Sequence, residues 1–364
     1  MDVHTTNYTL CCYSMEDDRF FAEVQVEPDA KNILKYLARI EKQQSRDCRI
    51  VCGYEAGCLG YSLYHQLHAH GIDCVILAPT TMMTKPGKRI KTDRRDARLI
   101  SKCLAFHTYS PVYIPTEVDD AVKEYIRMRD DANSALARVK QQIIAFCIRH
   151  GKIHDGKSYW TNKHLEWLSS LDLGNKILSE VLQEYLIRYY QLREQVDMYD
   201  MRINELAQAE PYRQKVEKLG CFRGIAAHTA LSFCVEVGDF RRFATAQQFA
   251  SYLGLVPGEC SSGDKQQYTG ITKAGNSHLR KLLVETAQVF GRSATKSGKS
   301  VALKERQAKC DSLTVAYADK ANARLKKKYF KIAMRSNVNI AKTAVAREMA
   351  CFIWGMMTDN ISCA

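Results

Sequence analysis

The run EVDDAVKEYIRMRDDANSALARVKQQIIAFCIRHG, which starts at Glu117, repeats apolar residues every three to four positions with charges between them. A second run from Glu180, EVLQEYLIRYYQLREQVDMYDMRINELAQAE, has the same pattern. Each predicts a long helix with one apolar stripe, and such stripes pair antiparallel or as a coil. Long helices of this kind act as a spacer or as a dimerising arm. With 364 residues the chain needs two or three units. The helical region is therefore expected over 116–212, between an N-terminal unit at 1–115 and a C-terminal one at 213–364.

The first ~110 residues alternate strand and helix signals. NYTLCCYS and RFFAEVQV, joined by the polar MEDD, predict a hairpin. An amphipathic helix follows near 29–43, then a buried strand in CRIVCGYE, a helix near 58–70 and a second buried strand in CVILAP. That alternation implies an α/β layer with a largely buried sheet. From about 215 the chain reads as helix, glycine turn, helix, and then as a Gly/Ser-rich stretch before a helix opening near Asn276. A basic helical tail closes it.

The 53 basic and 40 acidic residues leave a formal net charge of +13, which favours a polyanionic partner held through phosphate contacts. No apolar run is long enough to span a bilayer, and ACFIWGMM near the end is far too short. No basic-then-apolar leader is seen at the start, so cytoplasmic residence is expected, with no membrane partner. The fourteen cysteines fall mostly in apolar surroundings without a CxxC pair, consistent with free thiols packed as small hydrophobes. Cys48, Cys52 and Cys58 are wrongly spaced for a zinc knuckle, and His65, His68 and His70 read as surface histidines.

Residues 91–101, KTDRRDARLIS, set Asp93 and Asp96 three apart among Arg94, Arg95 and Arg98. Taken alone, the window reads as a helix start with Asp93 as N-cap and Asp96 at the third helical position. The same spacing puts both carboxylates on one face, where they can share a metal ion. Mg²⁺ or Mn²⁺ there would need further oxygen ligands. Glu55, after a buried strand and between Gly53 and Gly57, and Asp2, before the first hairpin strand, are the candidates.

MDVHTT, GYEAG, KTDRRDAR and GLVPGECSSGDKQQYTGITKAGNSHLRKLL, in that order, resemble the insertion-sequence transposases with a DEDD, RuvC-like catalytic domain. These are the bridge-RNA-guided recombinases of family one-ten. The resemblance spans nearly the whole chain. It implies a RuvC/RNase H-like α/β domain, a long helical coiled-coil insert and a mostly helical C-terminal transposase domain. Its four acids fall on Asp2, Glu55, Asp93 and Asp96, holding Mg²⁺ or Mn²⁺. Several apolar residues precede the family's first aspartate, whereas here only Met1 does.

In ECSSGDKQQYTG an ordinary polar turn would explain Ser261 and Ser262. The resemblance instead makes Ser262, directly before Gly263, the nucleophile that forms a covalent phosphoserine with DNA, activated by the metal site. It also implies a structured guide RNA as cofactor, double-stranded DNA of element ends and target as substrate, and a homo-oligomer of two or four chains in a prokaryotic nucleoid. Acids and serine would meet between protomers. RGIAAHTAL resembles the family's helix-hairpin-helix turn, with Arg223 for its proline and Ala226 for its second glycine; a plain packing turn is the alternative. Lys88, Arg89, Arg94, Arg95, Lys273, Arg280 and Lys281, with Lys85, Lys91 and Arg324 near them, are the expected phosphate contacts. Two other functions fit the same residues: a metal-dependent junction nuclease without a covalent step, and a non-catalytic nucleic-acid-binding protein.

Overall fold

The computed structural model describes residues 1–43, 49–82, 92–259, 267–292 and 298–361. They form two compact units, Met1–Ile114 and Pro115–Ala364. The regions expected at 116–212 and 213–364 lie together in the second of these and share a core.

In the first unit, β1 (Asp2–Val3), β2 (Tyr8–Ser14) and β3 (Arg19–Val26) form an antiparallel sheet. An extra residue bulges β3 at Ala22, which takes a positive φ of 53°, and beside it Glu23 turns toward the helix that carries the aspartates. After α1 (Ala30–Gln43), β4 (Cys52–Glu55) runs parallel to β5 (Cys74–Leu77), with α2 (Ser62–Ala69) as the crossover. The Met1 backbone nitrogen donates to Gly53 O at 2.7 Å, so the edge of the three-stranded sheet at β1 lies against β4 of the parallel pair. Leu10, Ile33, Tyr54, Leu67 and Ile76 fill the core between sheet and helices. The helix α3 (Asp93–Ala105) packs on β1, β2 and β4, and its Ile100 and Cys103 share a small buried cluster with Leu77 of β5.

The second unit is helical apart from one hairpin. The helices α4 (Glu117–Arg149) and α6 (Lys176–Gln208), each of 33 residues, pair antiparallel, with Tyr125 near Tyr199 and Phe146 near Tyr185. The expected stripe is real. Leu136, Val139, Ile143 and Phe146 of α4 meet Leu182, Leu186, Tyr189 and Val196 of α6, and the short α5 (Asn162–Ser169) closes the far end with Leu165 and Leu168. At the near end, Val122, Ile126, Ile203 and Ala207 enter a larger core.

That core is built from α7 (Arg213–Gly220), α8 (Ala227–Val237), α9 (Ala246–Tyr252), α10 (Ser277–Arg292), α11 (Val301–Gln307), α12 (Ser312–Ala333) and α13 (Val338–Met357). Phe222, Phe233, Phe249 and Phe290 are wholly buried in it. The expected basic tail is helical, but part of its charge is neutralised internally. Glu348 of α13 holds both Arg324 and Lys328 of α12. Between α9 and α10, β6 (Pro257–Glu259) pairs antiparallel with β7 (Tyr268–Ile271). The eleven cysteines described are free thiols, most of them buried, and no helix among the described residues is long and apolar enough to cross a membrane.

Candidate functional site

The start of α3 settles what the two aspartates do locally. Thr92, in extended backbone, is the N-cap, and its hydroxyl accepts from the Arg95 backbone nitrogen. Asp93 therefore stands at the first helical position and does not cap, contrary to the capping expectation. Threonine one residue earlier does that work because its φ of −144° suits a cap, so neither carboxylate is the cap of this helix. The helix dipole still favours them at this end.

Three side chains converge here. One ligand atom each from Asp2, His4 and Asp93 lies within 4.8 Å of the others. His4 Nε2 is 3.3 Å from Asp2 Oδ2 and 3.9 Å from Asp93 Oδ1. Burial raises the Asp2 carboxyl above its ordinary value; His4 opposes the rise, while the negative charges of Asp96 and Asp93 add to it. An aspartate that is 13% exposed and faced by two further carboxylates suits a cation. Oxygen and imidazole donors with an open side fit a divalent ion. Glu55 ends β4, the strand beside β1, and is half-buried. Neither it nor Asp96 enters the 4.8 Å cluster of described residues.

The arginines of the same window divide their roles. Arg94 and Arg98 both reach Glu23 on the bulged β3, clamping α3 to the sheet, and the two guanidiniums hold that carboxyl below its usual range. Arg94 remains 69% exposed. Arg95 is exposed as well. Lys85, Lys88, Arg89 and Lys91, like Ser261 and Ser262, lie outside the described residues.

In the second unit, β6 and β7 flank residues 260–266, the stretch that contains Ser262. The base of this hairpin is fastened with unusual thoroughness. Lys273 N donates to Gly254 O, Thr272 N to Val256 O and Asn276 N to Tyr252 O. Arg280 Nη1 donates to the carbonyls of Leu253 and Ala274, so that guanidinium acts as an internal strut, whereas Lys273 and Lys281 stay exposed. Gly275, at φ +78°, passes so close to Tyr252 that a Cβ would lie 2.1 Å from its carbonyl oxygen. Gly275→Ala is expected to destabilise the unit by more than about 1 kcal/mol, seen as a lower Tm for the whole chain.

Behind the hairpin lies a polar network that the sequence did not disclose. His278, in the first turn of α10, sets Nε2 2.9 Å from Asp130 Oδ2 of α4 and Nδ1 3.2 Å from Glu236 Oε1 of α8. Asn276 donates to the other Glu236 oxygen at 3.0 Å. Burial works against a charged His278, but the two carboxylates win and push it up to about 9. Burial likewise opposes the Asp130 carboxylate, and His228 and His278 outweigh it to hold the carboxyl well below the ordinary range. His228 Nε2 lies 3.0 Å from Asp130 Oδ1. Arg129 joins the network and grips Asp200 of α6 with two bonds.

A cavity of about 280 Å³ opens beside this network, lined by Arg129, Asn133, Gly224, His228 and Lys281 among others. It sits under the RGIAAHTAL turn, where α8 begins without a side-chain cap and leaves its first amides unclaimed by one. The turn also serves packing. Arg223 N donates to Asn322 Oδ1, and Gly224 crosses close to Thr286.

Comparison with known proteins gives matches over most of the chain. A DEDD transposase family model matches residues 1–148, and the model described as "Transposase IS116/IS110/IS902 family" matches 217–306. A candidate transposase, y4qE, of Sinorhizobium fredii is 35% identical over 84% of this chain and 75% of its own length. The transposase for insertion sequence element IS1533 of Leptospira borgpetersenii is 32% identical over 90% of this chain and 94% of its own. The transposase for IS1111A of Coxiella burnetii is 25% identical over 89% and 83%. The chain belongs to the IS116/IS110/IS902 family of transposases, enzymes that cut and transfer DNA.

Proposed function

We propose that this transposase recombines the DNA of its own element through a covalent phosphoserine at Ser262, with divalent metal held by Asp2, Asp93, Asp96 and Glu55 and with a structured RNA as guide. The observation that carries the metal half is the meeting of Asp2 and Asp93, from β1 and α3, at 91 residues' separation. The packing of β1 against β4 and of α3 on both, with acids on β1, at the end of β4 and at the start of α3, supports the same assignment. A divalent ion there supplies charge stabilisation at phosphate oxygens. Ser262 Oγ attacks phosphorus, a sugar oxygen leaves with a proton, and one phosphoester bond replaces another, so rejoining needs no external energy source. Strand cleavage without such a link would need water as the nucleophile.

The exposed Arg95, Lys273 and Lys281, and the amides at the start of α8 above the cavity, are suited to backbone phosphate. Sequence choice then rests with pairing by the guide RNA, and the protein grips shape and charge. Wild-type protein incubated with labelled element-end DNA, guide RNA and Mg²⁺ is expected to give a denaturant-stable, protease-sensitive adduct that Ser262→Ala lacks. Cleavage by Ser262→Ala at the wild-type rate, with no adduct in either protein, would establish the metal-dependent nuclease instead. Undiminished adduct without RNA would remove the guide.

A further inference from the structure

We propose that His4 is a nitrogen ligand of the metal site, which makes the centre an Asp–His–Asp cluster suited to a transition-metal cation. The idea rests on the metal site proposed above and goes beyond its four carboxylates. Side chains two apart on an extended strand share a face, so the register that points Asp2 at α3 points His4 there too. The Asp2–Thr9 and Val3–Tyr8 pairs fix that register, and His4 N donates to Asn7 O at 2.9 Å, holding the backbone just beyond the strand. Its Nε2 is in hydrogen-bond contact with Asp2 Oδ2 at 3.3 Å and 3.9 Å from Asp93 Oδ1, so it faces carboxylates from two different elements. The cluster comprises one buried and two more open donors, which gives a cation a route in.

The competing role is that of a protonated counter-ion separating Asp2 from Asp93. The two roles predict opposite signs. A counter-ion occupies the place of the metal, so its removal tightens metal binding. A ligand contributes a bond, so its removal weakens it. Imidazole nitrogen also favours Mn²⁺ over Mg²⁺, which an all-oxygen site would not do to the same degree.

Mn²⁺ binding to the full chain is the test, read by electron paramagnetic resonance without any DNA. Wild type is expected to show nitrogen coupling to bound Mn²⁺, shifted on ¹⁵N-histidine labelling. His4→Ala should lose that coupling and bind Mn²⁺ at least about tenfold more weakly, with its circular dichroism unchanged. Tighter or unchanged Mn²⁺ binding in His4→Ala, without nitrogen coupling in wild type, would overturn the ligand role. Asp93→Ala separates the two levels. If it leaves Mn²⁺ affinity intact, the carboxylate site itself is wrong; if it abolishes binding while His4→Ala does not weaken it, only the histidine assignment fails.

Discussion

Asp93→Ala lowers strand cleavage by on the order of 10³-fold or more while leaving the thermal unfolding of the protein almost unchanged. The expected loss is several kcal/mol of transition-state stabilisation, at 1.36 kcal/mol per factor of ten. The small stability effect follows from the geometry of the α3 start. Thr92, not Asp93, caps the helix, and the Asp93 side chain is 46% exposed. Its removal takes away only a favourable charge at a helix N-terminus, about 0.3–1 kcal/mol. Thr92→Ala gives the mirror image: about 1 kcal/mol of stability is lost with both acids retained, and activity falls less. Single-turnover cleavage and differential scanning fluorimetry on the two variants check this. Equal loss of stability in both, with equal loss of activity, would mean that Asp93 acts through the fold rather than through the site.

How far the sequence could be read depends on where each signal is stored. The hairpin of β2 and β3 and the two long helices α4 and α6 are written in local periodicity, and the structure has them. The N-cap was misplaced by one residue because Thr92 and Asp93 are both good caps, and only backbone dihedrals decide between them. The meeting of Asp2 with Asp93 joins positions 91 apart, so no window contains it; the family resemblance suggested it and the packing of α3 on β1 accounts for it. His4 follows Asp2 by two residues in MDVHTT, a spacing that sets both on one face of extended chain. Arg94, Arg98 and Arg280 look like phosphate-binding charges, yet Glu23 and the carbonyls of Leu253 and Ala274 engage them. The network around His278 was the least legible feature. Asp130 and Glu236 each look like a solvated acid on an amphipathic helix, and burial is a property of the assembled unit.

That network carries the second large expected effect. His278 rises from 6.5 to about 9 in the folded protein because Asp130 and Glu236 face its two nitrogens. A raised pKa means stability that is fully present below about pH 6.5, declines as the pH climbs and is gone above about 9. Screening at its 23% exposed side chain leaves about 2 kcal/mol of that contribution. Arg127 and Lys123 beside Glu236 and Arg129 beside Asp130 are further charges around the network. His278→Leu leaves two carboxylates without their shared cation and costs about 3 kcal/mol at pH 6. The gap between wild type and His278→Leu then narrows as the pH approaches 9.5, because wild type loses its own imidazolium. Denaturant unfolding at a series of pH values measures that gap, and a gap constant from pH 6 to 9.5 would deny His278 its charge. Since His278 opens the helix that follows the serine-bearing hairpin, the same variant should form less covalent adduct. Its Mn²⁺ affinity should be unchanged, because the proposed metal ligands belong to the other unit.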